Sequence, residues 1–443
     1  MWLNPLAKQG RRDGIPVAPG AFPLLGHLPA LIPSLRAFVR SQERALGPVF
    51  WINRGFGDYS VVVTGEPALE LLRNKRTASR DAAEITAPVI GGSLFVADGA
   101  PHRRARGAAA RTFTPKGLAL AKAGATMKDV IQRRVDGWAR ADSVAIVREG
   151  RELALDIIFR IIGVAESETE LWRRNFDELL LGFINLPLEC AGTPRWRSKR
   201  ARRWLDDEIA ALVERARATD DGGLLASLAR GRDEGGKGLS PRELIDNVRV
   251  LLFAGHETTA TAIAWMVFHL AEDPELWRRL CEEVGPDTPT PVDAAGMKSF
   301  PFSLGLFREV LRLHPPVGLI ARLVTEPLTV HGHALPVGTS VSLCVGEFGA
   351  DPARYEDPER ARPERWAGKA VRPGSVDTLA FGAGPHFCLG YHLACWEAVQ
   401  FIVCFAAALQ RWGKRVDARA LPRTVEFPIA RPGRRHRVRL VPA

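Results

Sequence analysis

The stretch Phe381-Gly382-Ala383-Gly384-Pro385-His386-Phe387-Cys388-Leu389-Gly390 governs how the rest of this chain reads. It runs into an apolar helical pattern from Tyr391 to Gln410. Gly382, Gly384 and Gly390 put no side chain on the backbone, so a flat ligand can come close to it. Cys388 stands just ahead of the helix, where the positive helix end and its free N–H groups favour a thiolate over a thiol. No second Cys or His lies at zinc-binding spacing. A lone thiolate in such a turn suits one axial bond to an iron already held by four other donors, and haem supplies those donors. Two plainer readings compete. A dinucleotide fingerprint needs G-x-G-x-x-G after a strand, and the third glycine is out of place here. An inert buried cysteine in a glycine-rich turn stays open on spacing alone.

Further upstream, Ser240-Pro241-Arg242-Glu243 forms a capping box with proline at the first helical position. The helical pattern then continues to Asp273-Pro274, where proline stops it. That is about 33 residues, or roughly 50 Å of helix. Val250 to Phe268 is apolar on nearly all sides, so this helix should pass through the interior. At its centre sits Ala254-Gly255-His256-Glu257-Thr258-Thr259. A glycine, an acid and two β-branched alcohols cost helix propensity and desolvation where a core helix should avoid both. Local rules that fail together in this way mark a functional site.

Elsewhere the pattern predicts mostly helix: roughly 67–74, 101–113, 116–140, 151–162, 166–181 and 199–218. Residues 49–52 and 59–64 read as a strand hairpin, with short strands again near 328–336 and 424–441. Ile15 to Pro29 is rich in proline and glycine and reads as an extended strap lying on the body. The fold class is therefore mainly α with a minor β-sheet region, without the βα alternation of doubly wound folds. Length alone suggests about three domains of roughly 150 residues. No linker divides the chain, however, so one domain over residues 1–443, with residues 1–29 as its strap, is expected.

Composition narrows the function classes. Hydrophobic residues make up 46% and charged residues 25% of the 443, ordinary for a large buried core. Phe (20) and Trp (11) far outnumber Tyr (3), which favours a greasy interior or pocket. The net charge of +11 favours acidic partners. Nucleic acid is not expected among them, because no base-reading motif or zinc-finger spacing occurs. The six cysteines show no repeated framework, which points to a reducing cytoplasm. There is no continuous apolar run of membrane-spanning length and no secretory signal, so at most peripheral membrane contact is expected.

Taken together, F-G-x-G-x-H-x-C-x-G resembles the haem-binding loop of the cytochrome P-450 superfamily. Further resemblances follow in order from about Pro16 to the C-terminus. Ala254-Gly255-x-Glu257-Thr258 is similar to the family's oxygen-activation segment. Glu309-Val310-Leu311-Arg312 is similar to its E-x-x-R helix, and Arg362-Pro363-Glu364-Arg365-Trp366 to the segment that pairs with it. His102-Arg103-Arg104-Ala105-Arg106 resembles the helix that clamps the haem propionates.

The resemblance implies a fold of roughly a dozen helices around a buried haem b with an axial thiolate from Cys388. His102, Arg106, Arg322 and His386 would serve the propionates, with Phe381, Gly382 and Gly390 as part of the loop. His102 and Arg106 are four apart and share a helical face. Glu309, Arg312 and Arg365 would form a structural ion network rather than a catalytic one. In the chemistry of dioxygen, an alcohol can order a water and a carboxylate can relay protons. Thr258 is the candidate for the first task and Glu257 for the second, against the plain reading that Thr258 only bonds back to a helix carbonyl.

The same resemblance places substrate against residues 77–98, 183–187 and 427–430, with Phe253, Ala254, Val317, Leu319, Ile320 and Ile429 as pocket candidates. These stretches are largely apolar, so a terpenoid, steroid, fatty acid or polyketide is expected. The reaction implied is hydroxylation or epoxidation, with dioxygen and two electrons. The alternatives are a haem-thiolate peroxygenase or rearrangement enzyme, or a non-catalytic haem carrier. Arg103, Arg104, Arg106 and Arg111 crowd one helix near the expected haem and would receive an acidic ferredoxin- or flavodoxin-type donor. That donor is expected as a separate protein, and the enzyme as a monomer. A second basic run, Arg195 to Arg203, reads as a solvated helix face, with membrane-surface contact as the sharper alternative. The strap Pro19-Gly20-x-x-Pro23-Leu24-Leu25-Gly26-His27 resembles the hinge of membrane-anchored members, although no anchor is expected ahead of it.

Overall fold

The computed structural model describes residues 10–79, 86–183, 189–219, 222–418, 420–426 and 429–443. Among these, eleven helices have nine residues or more: α1 (Leu35–Leu46), α2 (Gly65–Arg73), α3 (Gly99–Ala110), α4 (Ala123–Ala139), α5 (Ile146–Ile161), α6 (Thr169–Leu180), α7 (Pro194–Thr219), α8 (Pro241–Glu272), α9 (Pro274–Glu283), α10 (Pro301–Leu313) and α11 (Tyr391–Arg411). The mainly helical expectation is met.

The capping box that opens α8 forms as its sequence predicts. The Ser240 hydroxyl accepts from the Glu243 N–H, and the Glu243 carboxylate accepts from the Ser240 N–H. The helix is 32 residues long and packs along α5, with α7, α10 and α11 also against it. Its run from Ala260 to Ala271 is buried throughout. Both α8 and α11 are long and apolar enough to cross a membrane, but the fold encloses most of each, as it does any core helix.

Strands β1 (Val49–Asn53), β2 (Tyr59–Val63), β3 (Thr77–Ala78), β4 (Leu319–Val324) and β5 (Ser340–Cys344) form the largest sheet, in the order β1-β2-β5-β4-β3. The predicted hairpin is β1 and β2, paired antiparallel from Val49↔Val63 to Asn53↔Tyr59. Alternate side chains serve two cores. Val61, Val63, Val341 and Leu343 face a cluster shared with the Cys388 loop through Leu379 and Ala383. Phe50, Ile52, Val62 and Cys344 face the strap and α1. The pattern missed β4 and β5, because Arg322 interrupts the apolar run of β4.

Other departures have local causes. The single helix expected over 116–140 is broken: Pro115–Leu120 ends first, and Lys122 takes a left-handed φ of 52° before α4 begins. The helix expected to reach Phe113 ends at Ala110 and tightens into a 3-10 turn, Arg111–Phe113. Thr114-Pro115 follows at once, and the residue before proline is pushed out of helical backbone. The strap is mostly non-helical but holds one short helix, Leu28–Leu31. It is pinned by His27, which is buried. The ring Nδ1 accepts from the Asn53 N–H at 2.9 Å, so Nε2 carries the proton and donates to the Ala18 carbonyl at 3.1 Å.

The predicted Glu309–Arg312–Arg365 network is present and larger than expected. The Arg312 Nε and Nη2 donate to both Glu309 oxygens at 2.8 Å, with both side chains almost wholly buried. The Glu309 carboxylate also accepts from Arg365 Nε at 3.3 Å, Trp366 Nε1 at 2.9 Å and the Arg362 N–H at 2.8 Å. Arg312 further donates to the carbonyls of Gly349, Pro358 and Arg360. Removing one charge strands the other in the interior. Glu309→Ala should therefore lower unfolding stability by about 3–5 kcal/mol in urea titrations; a change below about 1 kcal/mol would show that the network carries no such weight.

Histidines that the fold keeps neutral make it acid-sensitive. Burial lowers His256 and His269 to a pKa of about 4 and holds His314 well below its ordinary value of 6.5. The His269 and His314 Nε2 atoms are 2.9 Å apart, and the His314 ring stacks on Trp265 at 3.7 Å. Below the ordinary value of 6.5, the unfolded chain binds protons that the folded chain refuses. The part of the urea midpoint that these histidines control should thus be constant above pH 6.5 and fall steadily from there toward pH 4. His269→Phe should flatten part of that fall, and an unchanged slope in the variant would remove His269 from the account.

Candidate active site

The loop ahead of α11 is built from short 3-10 turns, Val376–Phe381 and Gly384–His386, joined at Gly382 with φ 76°. The Cys388 N–H closes it by donating to the Phe381 carbonyl at 2.9 Å. Phe381 is wedged between Phe307 of α10, Phe387 and Tyr391, at ring separations of 6.3, 6.4 and 4.9 Å. Two of the three glycines depart from their expected reason. A Cβ on Gly384 would collide with the Leu72 carbonyl, so its bareness serves the approach of α2 rather than a ligand. Gly390 has an ordinary φ of −81° and caps α11, its backbone N–H bonded to the Cys388 sulfur.

Burial pushes the Cys388 thiol up, against the pull of the Gly390 N–H and the Arg106 charge. The helix start alone therefore does not produce the thiolate expected from sequence. A cation bonded to the sulfur outweighs burial and deprotonates it.

The four residues expected to serve an anionic cofactor edge converge on this loop. Arg106 donates to the Phe387 carbonyl at 2.6 Å. The His102 and His386 rings lie 4.2 Å apart. His386 Nε2 donates to Asp98 at 3.0 Å, and the other Asp98 oxygen accepts from the Ser79 N–H at 2.7 Å. Arg322 reaches the Ser79 hydroxyl at 3.1 Å from β4. Burial acts to raise the Asp98 carboxyl, but the bonds from His386 and Ser79 outweigh it and hold it low. Sequence reasoning missed Ser79 and Asp98 as members of this chain of contacts. Asp98 reads locally as the N-cap of α3, yet its side chain makes no cap bond and serves His386 instead.

These residues fit haem. Arg322 is buried, and its partners among the described residues are a hydroxyl and a carbonyl, with no carboxylate in ion-pair contact. The buried Arg249, by contrast, is paired with both Asp206 and Asp246. His102 is buried with its Nε2 lacking any partner, and burial lowers its pKa to about 4. Two guanidiniums and an orphaned imidazole donor beside one cysteine ask for an anionic ligand. The two propionates of haem meet that demand, and Cys388 offers the sulfur for its iron.

At the centre of α8, Ala254 is exposed although the helix is a core element, so the wall of the site opens there. Gly255 is where Ile158 of α5 closes in, with a Cβ there only 2.6 Å from Ile158 Cδ1. His256 points into the core against Phe176. Thr258 Oγ1 donates to the Ala254 carbonyl at 2.6 Å, which is the plain reading made real, and its lone pairs stay available as acceptors. Glu257 is held in an ion pair by Arg151 of α5 at 2.5 Å. No sequence signal links these two, which lie on different helices.

The pocket candidates divide. Phe253 meets the Phe183 ring at 5.2 Å. The Ala430 N–H donates to the Pro316 carbonyl at 2.9 Å, which brings Ile429 beside Val317. Ile320 lies on the sheet face of the Cys388 loop, but Leu319 points to the opposite face and packs with the strap and α1. Leu319 is thus removed from the pocket, because neighbours in a strand face opposite ways. Residues 80–85, 184–187 and 427–428 of the expected lining fall outside the described residues.

The basic runs are partly neutralised. Arg104 pairs with Glu243 and turns into a separate cleft with Arg217, Arg232, Lys237 and Arg242, away from Arg106. In the run 195–203, Arg195 and Lys199 pair with Glu189, and Arg197 with Glu178, as the solvated-face reading expects.

The profile of the family described as Cytochrome P450 matches residues 16–417. Cytochrome P450 BJ-4 of Bradyrhizobium diazoefficiens is 37% identical, covering 94% of this chain and 93% of that protein. Cyclooctat-9-en-7-ol 5-monooxygenase of Streptomyces melanosporofaciens is 29% identical over 90% and 89% of the two chains. A solved structure described as retinoic acid bound cyanobacterial CYP120A1 superposes with a TM-score of 0.81 at 26% identity, covering 96% of this chain and 99% of that one. The chain therefore belongs to the cytochrome P450 family and is a haem-thiolate monooxygenase.

Proposed function

We propose that this monooxygenase hydroxylates or epoxidises an apolar small molecule of terpenoid, steroid, fatty-acid or polyketide type, with Cys388 as the iron ligand. The observation that carries the site assignment is the set of unneutralised donors, His102, Arg106 and Arg322, gathered around the Cys388 loop. Phe253, Ala254, Ile320 and Ile429 give the pocket a mainly apolar lining. Two similar proteins are named for cyclooctat-9-en-7-ol and retinoic acid, both mostly hydrocarbon, which supports a greasy substrate. Electrons come from a separate acidic ferredoxin- or flavodoxin-type protein that meets the exposed Arg103 and Arg111 near the cysteine side. The six free cysteines suit a reducing cytoplasm.

Haem, when bound, supplies two-electron activation of dioxygen, one atom passing to the substrate and the other leaving as water. The protein's part is to hold charge and deliver protons. Arg106, Arg322 and His102 neutralise and orient the propionates. Gly390 N–H and Arg106 stabilise negative charge on the Cys388 sulfur. The Thr258 hydroxyl spends its proton on the Ala254 carbonyl, so its oxygen accepts a bond from a water and fixes that water in the site. Glu257, steadied by Arg151, takes protons from the solvent side and passes them to that water.

The reduced protein under carbon monoxide should show the red-shifted Soret band of thiolate-ligated haem, and Cys388→Ala should lose it. Survival of the band in the variant would move the ligand elsewhere. Thr258→Ala should keep the band while product per electron pair falls by roughly tenfold or more, the scale of a lost proton-transfer group. Equal coupling in variant and parent would remove Thr258 from proton delivery. Glu257→Gln should slow turnover and enlarge the solvent isotope effect, and an unchanged isotope effect would exclude Glu257 as the relay.

A further inference from the structure

We infer that the N-terminal strap and the β1–β2 turn form a docking tip for an anionic lipid bilayer. Phe56 and Leu24 are the most exposed large apolar side chains among the described residues, at 79% and 74%. Phe22 and Ile32 are more than half exposed, and Leu25 nearly so. The Phe56 N–H donates to the Leu24 carbonyl, so the two tips are adjacent. Both residues sit in left-handed backbone, at φ 53° and 59°. The other non-glycine residues described with positive φ are polar: Asp13, Lys122, His331 and Asp357. A bulky apolar residue is disfavoured there where glycine or asparagine is not. Neither side chain gains burial in return.

The tip is rigid and its backbone is largely satisfied. Phe22 and Gly26 exchange N–H to carbonyl bonds, Leu28 N–H donates to Leu25, Arg54 N–H to Asp58, and Asp58 N–H to Gly55. Gly26 lies too close to Asn53 to carry a side chain, and the buried His27 anchors the base. Turns whose backbone groups already pair internally can enter an apolar medium without stranding them. The Arg54–Asp58 ion pair at the hairpin's base would sit at headgroup level. Arg11 and Arg44 of the same N-terminal layer are exposed and make no ion pair among the described residues, and the chain as a whole carries +11. Such a protein is drawn to an anionic surface. A second copy of the chain is a poorer occupant. Stable protein interfaces engage about 20–30 residues a side, far more than two projecting turns provide. The basic run at 195–203 is a poorer lipid site, because Glu178 and Glu189 already engage it.

The test is co-sedimentation of the full-length haem-loaded protein with vesicles of phosphatidylcholine containing one-third phosphatidylglycerol. The parent should bind, and Leu24→Gly and Phe56→Gly should each weaken partitioning by about tenfold or more, the scale of one lost apolar side chain. The same two variants should raise the urea midpoint, because glycine relieves the left-handed backbone. Residues kept for the fold itself would do the reverse. The carbon monoxide band of each variant separates this result from any failure of the catalytic reading. The proposal is overturned if the parent stays in the supernatant, or if the variants bind as well as the parent. It is equally overturned if light scattering shows a dimer that the variants lose, or if binding appears only after residues 1–9 are removed. Those two outcomes would assign the tip to a second copy or to the chain's own terminus.

Discussion

The bidentate pair between Glu309 and Arg312 is the interaction on which the rest of the structure leans. A buried ion pair holds only when its remaining lone pairs and protons are also used. Here they are: Arg362, Arg365 and Trp366 complete the acid, while the carbonyls of Gly349, Pro358 and Arg360 complete the base. The result ties helix α10 to the irregular segment that runs from Gly349 to Trp366. The same helix presents Phe307 to Phe381, and so braces the loop that carries Cys388. Gly305 makes room on α10 for the Pro363 carbonyl. An irregular region is held in register by one saturated charge pair.

The contrast between neutralised and unneutralised cations locates the cofactor edge. Among the described residues, the buried arginines other than Arg322, namely Arg249 and Arg312, each have a carboxylate in ion-pair contact. Arg106 and Arg322 have carbonyls or a hydroxyl instead, and both carry guanidiniums whose pKa burial lowers. A fold that left such groups beside an unpartnered His102 would be costly without an anion to meet them. Asp98, the acid that this cluster engages among the described residues, is spent on His386 and Ser79.

Helix α8 shows how one element carries two incompatible demands. For most of its length it is core, buried from Ala260 to Ala271. At its centre Gly255 admits α5, His256 fills the core behind, and Glu257 and Thr258 face polar partners. The helix survives these residues because long capped flanks on both sides hold it, from the Ser240 box to the Asp273-Pro274 stop.

Much of this was legible from the chain alone. The Ser240 capping box, the stop at Asp273-Pro274, the β1–β2 hairpin and the Glu309–Arg312 spacing depend on residues within a few positions of each other. Backbone propensity acts at that range, so local sequence determines them. The order of the segments that resemble the family's motifs then indicated the haem-thiolate fold. What only tertiary structure decided is which distant group each side chain meets. Asp98 looks like a helix cap and binds His386; Gly384 looks like a ligand cradle and makes room for α2. Leu319 and Ile320 are neighbours in sequence and face opposite cores. Arg104 turns to Glu243, and Glu257 to Arg151. Such partners are selected by how helices and strands pack across hundreds of residues, and no local spacing encodes that choice.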